Sequence, residues 1–208
     1  RVRQKLAALD MKCLVNDPPL QAQGGHDDFV DLDTVLQADV ITVHVPYTRE
    51  GPYPTHHLVD AAFLERLQPG AVFINTARGA VADNAALDML LESRSDLSVV
   101  LDVWEDEPAI SMSLLEKVQL GTPHIAGYSL DGKLRGTEMI YRAACTHFSR
   151  PLLWQAADDL PAGLLLDLRE LRAAPLLARL QAAVFACYDI RHDDASLREQ
   201  LASAAADR

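Results

Sequence analysis

Phe73-Ile74-Asn75-Thr76-Ala77-Arg78-Gly79 is an apolar run that ends on an arginine and a glycine, and two later stretches repeat its logic. Leu101-Asp102-Val103-Trp104-Glu105-Asp106-Glu107-Pro108 runs into an acidic cluster, and Thr122-Pro123-His124-Ile125-Ala126-Gly127-Tyr128 delivers a histidine. An apolar run followed closely by a titratable residue is how a parallel strand brings a side chain to the carboxyl edge of an open α/β sheet, where ligands bind. An arginine, a glutamate and a histidine arriving this way supply an anion clamp, a carboxylate orienter and a proton carrier. Such a set suits oxidation of a hydroxy acid: hold the carboxylate, take the hydroxyl proton and let hydride leave to a cofactor.

On either side of this stretch, helical and strand patterns alternate. Residues 2–9 read as helix with no start signal, so the chain is read as beginning inside a helix and as a fragment of a longer protein. A short apolar strand over 12–15 ends at Asn16-Asp17-Pro18-Pro19, and an acidic residue at such a strand end fits the second half of a dinucleotide-binding βαβ unit. A loop with Gly24-Gly25 precedes a short helix at 33–37, capped by Asp31 or Asp33. The β-branched run Val40-Ile41-Thr42-Val43 predicts a strand covered on both faces. Residues 50–57 form an irregular loop, and Asp60 caps a helix through Leu67. A strand at 71–74, a helix opened by Asp83 or Asn84 to Glu92, a strand at 97–101 and a short strand leading into His124 follow. The alternation predicts an α/β fold, a doubly wound parallel sheet of Rossmann type.

Residues 134–148 predict a helix whose Leu134, Ile140, Tyr141, Ala144 and Phe148 pack back on the sheet. Arg150-Pro151 then marks a boundary, giving domains at 1–149 and 150–208. The second carries a possible strand at 164–168, a helix from Pro175 to about Ala186 and a last helix capped near Asp194. It has too little core to be stable alone.

A net charge of −11 disfavours nucleic acid and anionic membranes as partners, and no apolar run approaches the roughly 20 residues that cross a bilayer. Cys13, Cys145 and Cys187 are odd in number, far apart and lack metal-ligand spacing; they read as buried thiols in a reducing cytoplasm. His56-His57 is not expected to hold a metal, because adjacent side chains diverge and no further ligands stand nearby in the sequence.

The order Arg78, Glu107 before Pro108, and His124 in Pro-His-Ile-Ala-Gly resembles the NAD-dependent D-2-hydroxyacid dehydrogenase family, over most of the chain up to about Ser149. The continuation from Tyr128 to Thr137 narrows the resemblance to one member, which acts on a phosphorylated 2-hydroxy acid. The resemblance implies Arg78, Glu107 and His124 as catalytic residues and Tyr128 as a substrate contact. It implies NAD contacts from Asp17 at the adenosine ribose, Val45, Thr76, Ala77, Arg78, Asp102 at the nicotinamide amide, and Gly127. Val45 stands where the family often has Thr, leaving only backbone contact there. Residues 150–208 resemble a C-terminal α+β dimerisation domain, which implies a homodimer. Two other readings remain open on the sequence: a sibling dehydrogenase acting on phosphoglycerate or on glyoxylate and hydroxypyruvate, and a non-enzymatic NAD-sensing protein that recruits partners.

Overall fold

A computed structural model of the chain describes residues 2–24, 28–163, 166–167, 169, 172 and 174–206. By contacts it divides into two units, one of Arg1–Gly121 with Leu201–Arg208 and one of Thr122–Gln200. The boundary expected at 149/150 falls inside the second.

The first unit holds a four-stranded, all-parallel sheet in the order β1 (Val40–Val43), β2 (Val72–Asn75), β3 (Ser98–Leu101) and β4 (Leu120–Gly121). The ladder pairs Val43 with Asn75, Asn75 with Leu101 and Leu101 with Gly121, so all four strands stop level with one another. Alternate residues are fully buried (Ile41 and Val43, Phe73 and Asn75, Val99 and Leu101), while their neighbours are only partly covered. Val40 is itself exposed, so β1 is covered on one face rather than both.

The helices start where side chains can accept the orphan backbone N–H groups of a first turn. After α1 (Val2–Ala7), Asp17 caps α2 (Pro18–Ala22), Asp31 caps α3 (Leu32–Val35), Asp60 caps α4 (Ala61–Glu65) and Asp83 caps α5 (Asn84–Leu90). Ser111 caps α6 (Met112–Lys117), a helix the sequence reading did not anticipate. Phe63 and Leu64 of α4, Leu87 of α5, and Leu114 and Leu115 of α6 join Phe73, Val99 and Leu101 in the core. The strand expected at 12–15 does not form among the described residues. Val15 makes a single parallel bridge to Phe29, and without a continuous neighbour the run cannot build a ladder.

In the second unit, Ser129 caps α7 (Leu130–His147), which is followed by α8 (Leu176–Cys187) and α9 (Arg191–Ala206), the last crossing into the first unit's C-terminal segment. The expected apolar face of α7 is covered only in part: Leu134 and Tyr141 are half-buried, but Ile140 and Phe148 are 74% and 67% exposed. Cys145, one turn after Tyr141, is buried where the returning chain crosses. Leu153 N–H donates to the Tyr141 hydroxyl (3.1 Å), and the Trp154 ring meets Tyr141 edge-on at 6.0 Å. The three thiols are free, but only Cys145 is buried; Cys187 is exposed, against expectation. The strand expected at 164–168 lies outside the described residues, of which it retains only 166–167. No helix among the described residues is long and apolar enough to cross a membrane.

Candidate active site

Asn75, the last residue of β2, folds the chain that follows it. Its Oδ1 accepts the Ala77 N–H and its Nδ2 donates to the Arg78 carbonyl, both at 3.1 Å. This completely buried amide pins Thr76, Ala77 and Arg78 to the strand end, a role the sequence reading missed. Thr76 is half-buried, Ala77 buried and Arg78 exposed, with its Nη1 donating to the Ala77 carbonyl at 2.6 Å. A glycine after Arg78 leaves room at the strand end for whatever approaches it. The room is taken by protein: a Cβ there would lie 1.8 Å from the Trp104 carbonyl oxygen.

Asp102, just past β3, is 3% exposed, and its N–H donates to the Asn75 carbonyl at 3.0 Å. The three acids that follow have three different environments. Glu107 is exposed, with its Oε1 accepting the Trp104 N–H at 2.6 Å. Asp106 is exposed with φ +59°. Glu105 is half-buried: its Oε1 accepts from His57 Nε2 at 2.7 Å and its Oε2 from the Asn84 N–H at 2.9 Å. His57 Nδ1 lies 3.7 Å from Asp83 Oδ2.

The sequence offered no partners for His56-His57, but the fold brings Asp83 and Glu105 to His57, and atoms of the three lie within 4.8 Å of one another. Such a set could ligate a cation. Hydrogen bonds within the protein already account for it: Asp83 Oδ1 caps α5, and Glu105 serves His57 and Asn84.

In the first unit's remaining part, Val45 is half-buried two residues after β1. Asp17 has a local task as well, since its Oδ1 accepts the Leu20 N–H at 3.0 Å. A carboxylate retains further acceptor positions beyond that one bond.

His124, Gly127 and Tyr128 belong to the second unit. His124 is exposed and takes φ +56°, a conformation unusual for a residue with a bulky side chain. Gly127 has φ +82°, and the Tyr128 N–H closes a turn onto the Ile125 carbonyl at 2.8 Å. Tyr128 is 69% exposed, and Lys133 Nζ stands over its ring, 3.5 Å from the centroid. A hydrogen bond with Lys133, reinforced by the ammonium charge, holds the Tyr128 hydroxyl below the usual tyrosine range. The structure thus gathers Asn75 to Arg78 with Asp102 to Glu107 in one unit, and His124 to Lys133 in the other.

The profile of the D-isomer specific 2-hydroxyacid dehydrogenase NAD-binding domain matches residues 1–126. The chain belongs to this family. Among curated relatives, it is 48% identical to the erythronate-4-phosphate dehydrogenase of Salinibacter ruber, over 96% of this chain and 53% of that protein. Against the enzyme of the same name from Pseudomonas syringae pv. tomato, identity is 48% over 94% of this chain and 52% of the relative. The chain spans about half the length of the curated relatives it matches. Among solved structures, it is similar to the NAD-dependent formate dehydrogenase of Staphylococcus aureus in complex with NAD. The TM-score there is 0.56 and identity 27%, over 72% of this chain and 45% of that one. It is also similar to a holo form of Rhodotorula graminis D-mandelate dehydrogenase, with TM-score 0.51 and identity 32% over 74% of this chain and 43% of that one.

As a member of the family's NAD-binding domain, the chain takes NAD as cofactor. Its residues fit that group: β1, β2 and β3 end level, so the segments carrying Val45, Thr76 to Arg78 and Asp102 emerge at the carboxyl edge where dinucleotides lie.

Proposed function

We propose that this chain is the NAD-binding and catalytic half of an erythronate-4-phosphate dehydrogenase. Its reaction is oxidation of 4-phospho-D-erythronate at C2 to 3-hydroxy-2-oxo-4-phosphooxybutanoate, in the synthesis of pyridoxal 5′-phosphate. One observation carries the reading. The match to the family domain ends at residue 126, whereas similarity to curated enzymes of this name runs over 93–97% of the chain. The segment beyond the common domain is therefore shared with relatives of that one activity.

In the proposed mechanism, Arg78 grips the substrate carboxylate, for which its planar fork of donors is matched. His124 accepts the C2 hydroxyl proton, and Glu107 provides the carboxylate that favours the imidazolium so formed. NAD, when bound, supplies the acceptor for the hydride that leaves C2. Asp17 holds the adenosine ribose and disfavours a 2′-phosphate, Asp102 orients the nicotinamide amide, and Val45, Thr76, Ala77 and Gly127 line the cofactor. Tyr128 contacts the substrate. Lys133 and Arg135, near the start of α7, add positive charge for its phosphate in a chain of net charge −11. Residues 150–208 serve as a dimerisation domain, and the enzyme works as a homodimer in the cytoplasm.

The test is formation of NADH by the whole protein supplied with NAD and either 4-phospho-D-erythronate, phosphoglycerate or hydroxy acids without phosphate. Preferred turnover of 4-phospho-D-erythronate is expected. Preference for phosphoglycerate or glycerate would move the protein to a sibling activity, and NAD binding without turnover of any of them would make it a sensor.

A further inference from the structure

The acidic loop between β3 and α6 is fastened at two places, and Glu105 makes one of the fastenings. The 57–59 segment runs beside 80–83: His57 N–H donates to the Ala80 carbonyl (2.9 Å), Val59 N–H to Val81 (3.0 Å) and Asp83 N–H to Val59 (3.0 Å). Glu105 reaches into this junction, taking the His57 ring with one oxygen and the first backbone N–H of α5 with the other. One residue earlier, the Trp104 carbonyl packs against Gly79 so closely that no side chain could intervene. The Trp104 N–H then holds the Glu107 carboxylate. The backbone between these anchors leaves little freedom: His57 sits at φ +50° and Asp106 at φ +59°, both in the left-handed region. The position of Glu107 is thus inherited from its neighbours.

We infer that Glu105, held by His57, is a positioning residue that sets Glu107 through the Trp104–Glu107 turn. The inference rests on the reading of Glu107 as the carboxylate that serves the proton-carrying histidine. Partners and exposure set the roles apart: Glu105 spends both oxygens inside the protein, whereas Glu107 stays exposed.

The experiment is a double-mutant cycle in the full-length enzyme, read as kcat, with the Kd for NAD and the thermal midpoint measured beside it. Glu105→Ala is expected to lower kcat roughly 10- to 100-fold, the size of loss that a misplacement of about 1 Å can cause, with NAD affinity unchanged. In a Glu107→Gln background the same substitution should lower kcat by less than about twofold, since the group it positions has already lost its charge. Glu105→Gln should restore most of kcat. Its amide oxygen can still accept from Asn84, and its amide N–H₂ can donate to the Nε2 of the other imidazole tautomer. His57→Ala, run through the same cycle, serves if Glu105→Ala fails to fold, and the same non-additivity is expected. Additive losses, where Glu107→Gln is itself impaired, would overturn the positioning role alone. An unaltered kcat in Glu107→Gln would overturn the assigned site and this inference with it. Loss of wild-type activity on chelation would also overturn it, because His57, Asp83 and Glu105 would then be acting as metal ligands.

Discussion

Arg78 emerges from β2 with its backbone already committed: Asn75 holds the carbonyl of Arg78 and the N–H of Ala77, leaving the exposed guanidinium as the part that can meet a ligand. Among the described residues that group donates to its neighbour's carbonyl, a bond easily exchanged for a ligand's carboxylate. Arg78→Lys keeps the charge and loses the two-pronged fit, so kcat/KM for the hydroxy acid should fall by at least about tenfold in steady-state assays. His124→Ala should slow hydride transfer by about 10²–10⁴-fold with little change in the Kd for NAD, as stopped-flow would show. Turnover within about threefold of wild type would remove His124 from the role of base. At Tyr128 the tested quantity is a titration. Because hydrogen bonding and charge from Lys133 favour the phenolate, Lys133→Ala should move the Tyr128 ionisation to higher pH in an ultraviolet difference titration. With Tyr128→Phe added, KM for the phosphorylated substrate should rise more than for erythronate without phosphate.

At the scale of elements, the sharpest constraint is the junction of two loops at Gly79. Gly79→Ala would drive a methyl into the Trp104 carbonyl, and backbone on both sides cannot yield cheaply. A loss of about 3 kcal/mol or more is expected, seen as a lowered midpoint in denaturant titration. Nothing in the string Arg78-Gly79 distinguishes a glycine that admits ligand from one that admits another loop; the partner lies 25 residues downstream by position number. The same limit hid the His57–Glu105 bond, whose partners are 48 residues apart. Local signals carry well: Asp60 caps its helix, Asp31 and Asp83 take caps for which Asp33 and Asn84 were the alternatives, and β1, β2 and β3 lie within one residue of the β-branched and apolar runs. Ser111 was an equally local signal, but α6 is only six residues long, too brief for a helical period to stand out. The 12–15 strand failed for a different reason, since a strand exists only through its neighbours. Asp102 could be placed at a strand end from sequence, yet its burial could not.

On the scale of the whole molecule, the question is what covers the apolar side chains of the second unit. Leu153 and Leu177 are 83% and 77% exposed, and Leu176, Val184 and Tyr188 are more than half exposed. Several large apolar side chains left exposed within one unit suit a self-complementary interface. Deleting residues 150–208 from the full-length protein is therefore expected to turn a dimer into a monomer or an aggregating species, as judged by light scattering. A well-behaved dimer after deletion would place the principal interface elsewhere.

The sealed seat of Trp104 also gives the protein an optical reporter. Trp104 is 4% exposed, its N–H holds Glu107, its carbonyl abuts Gly79, and its ring lies where a Cβ on Gly121 would touch it. The chain has one other indole, Trp154, so a Trp154→Phe protein would emit from Trp104 alone. Buried emission is blue-shifted, and a reduced nicotinamide within transfer range quenches it. Whatever loosens the turn that carries Glu107 would then appear as a red shift, readable without any turnover.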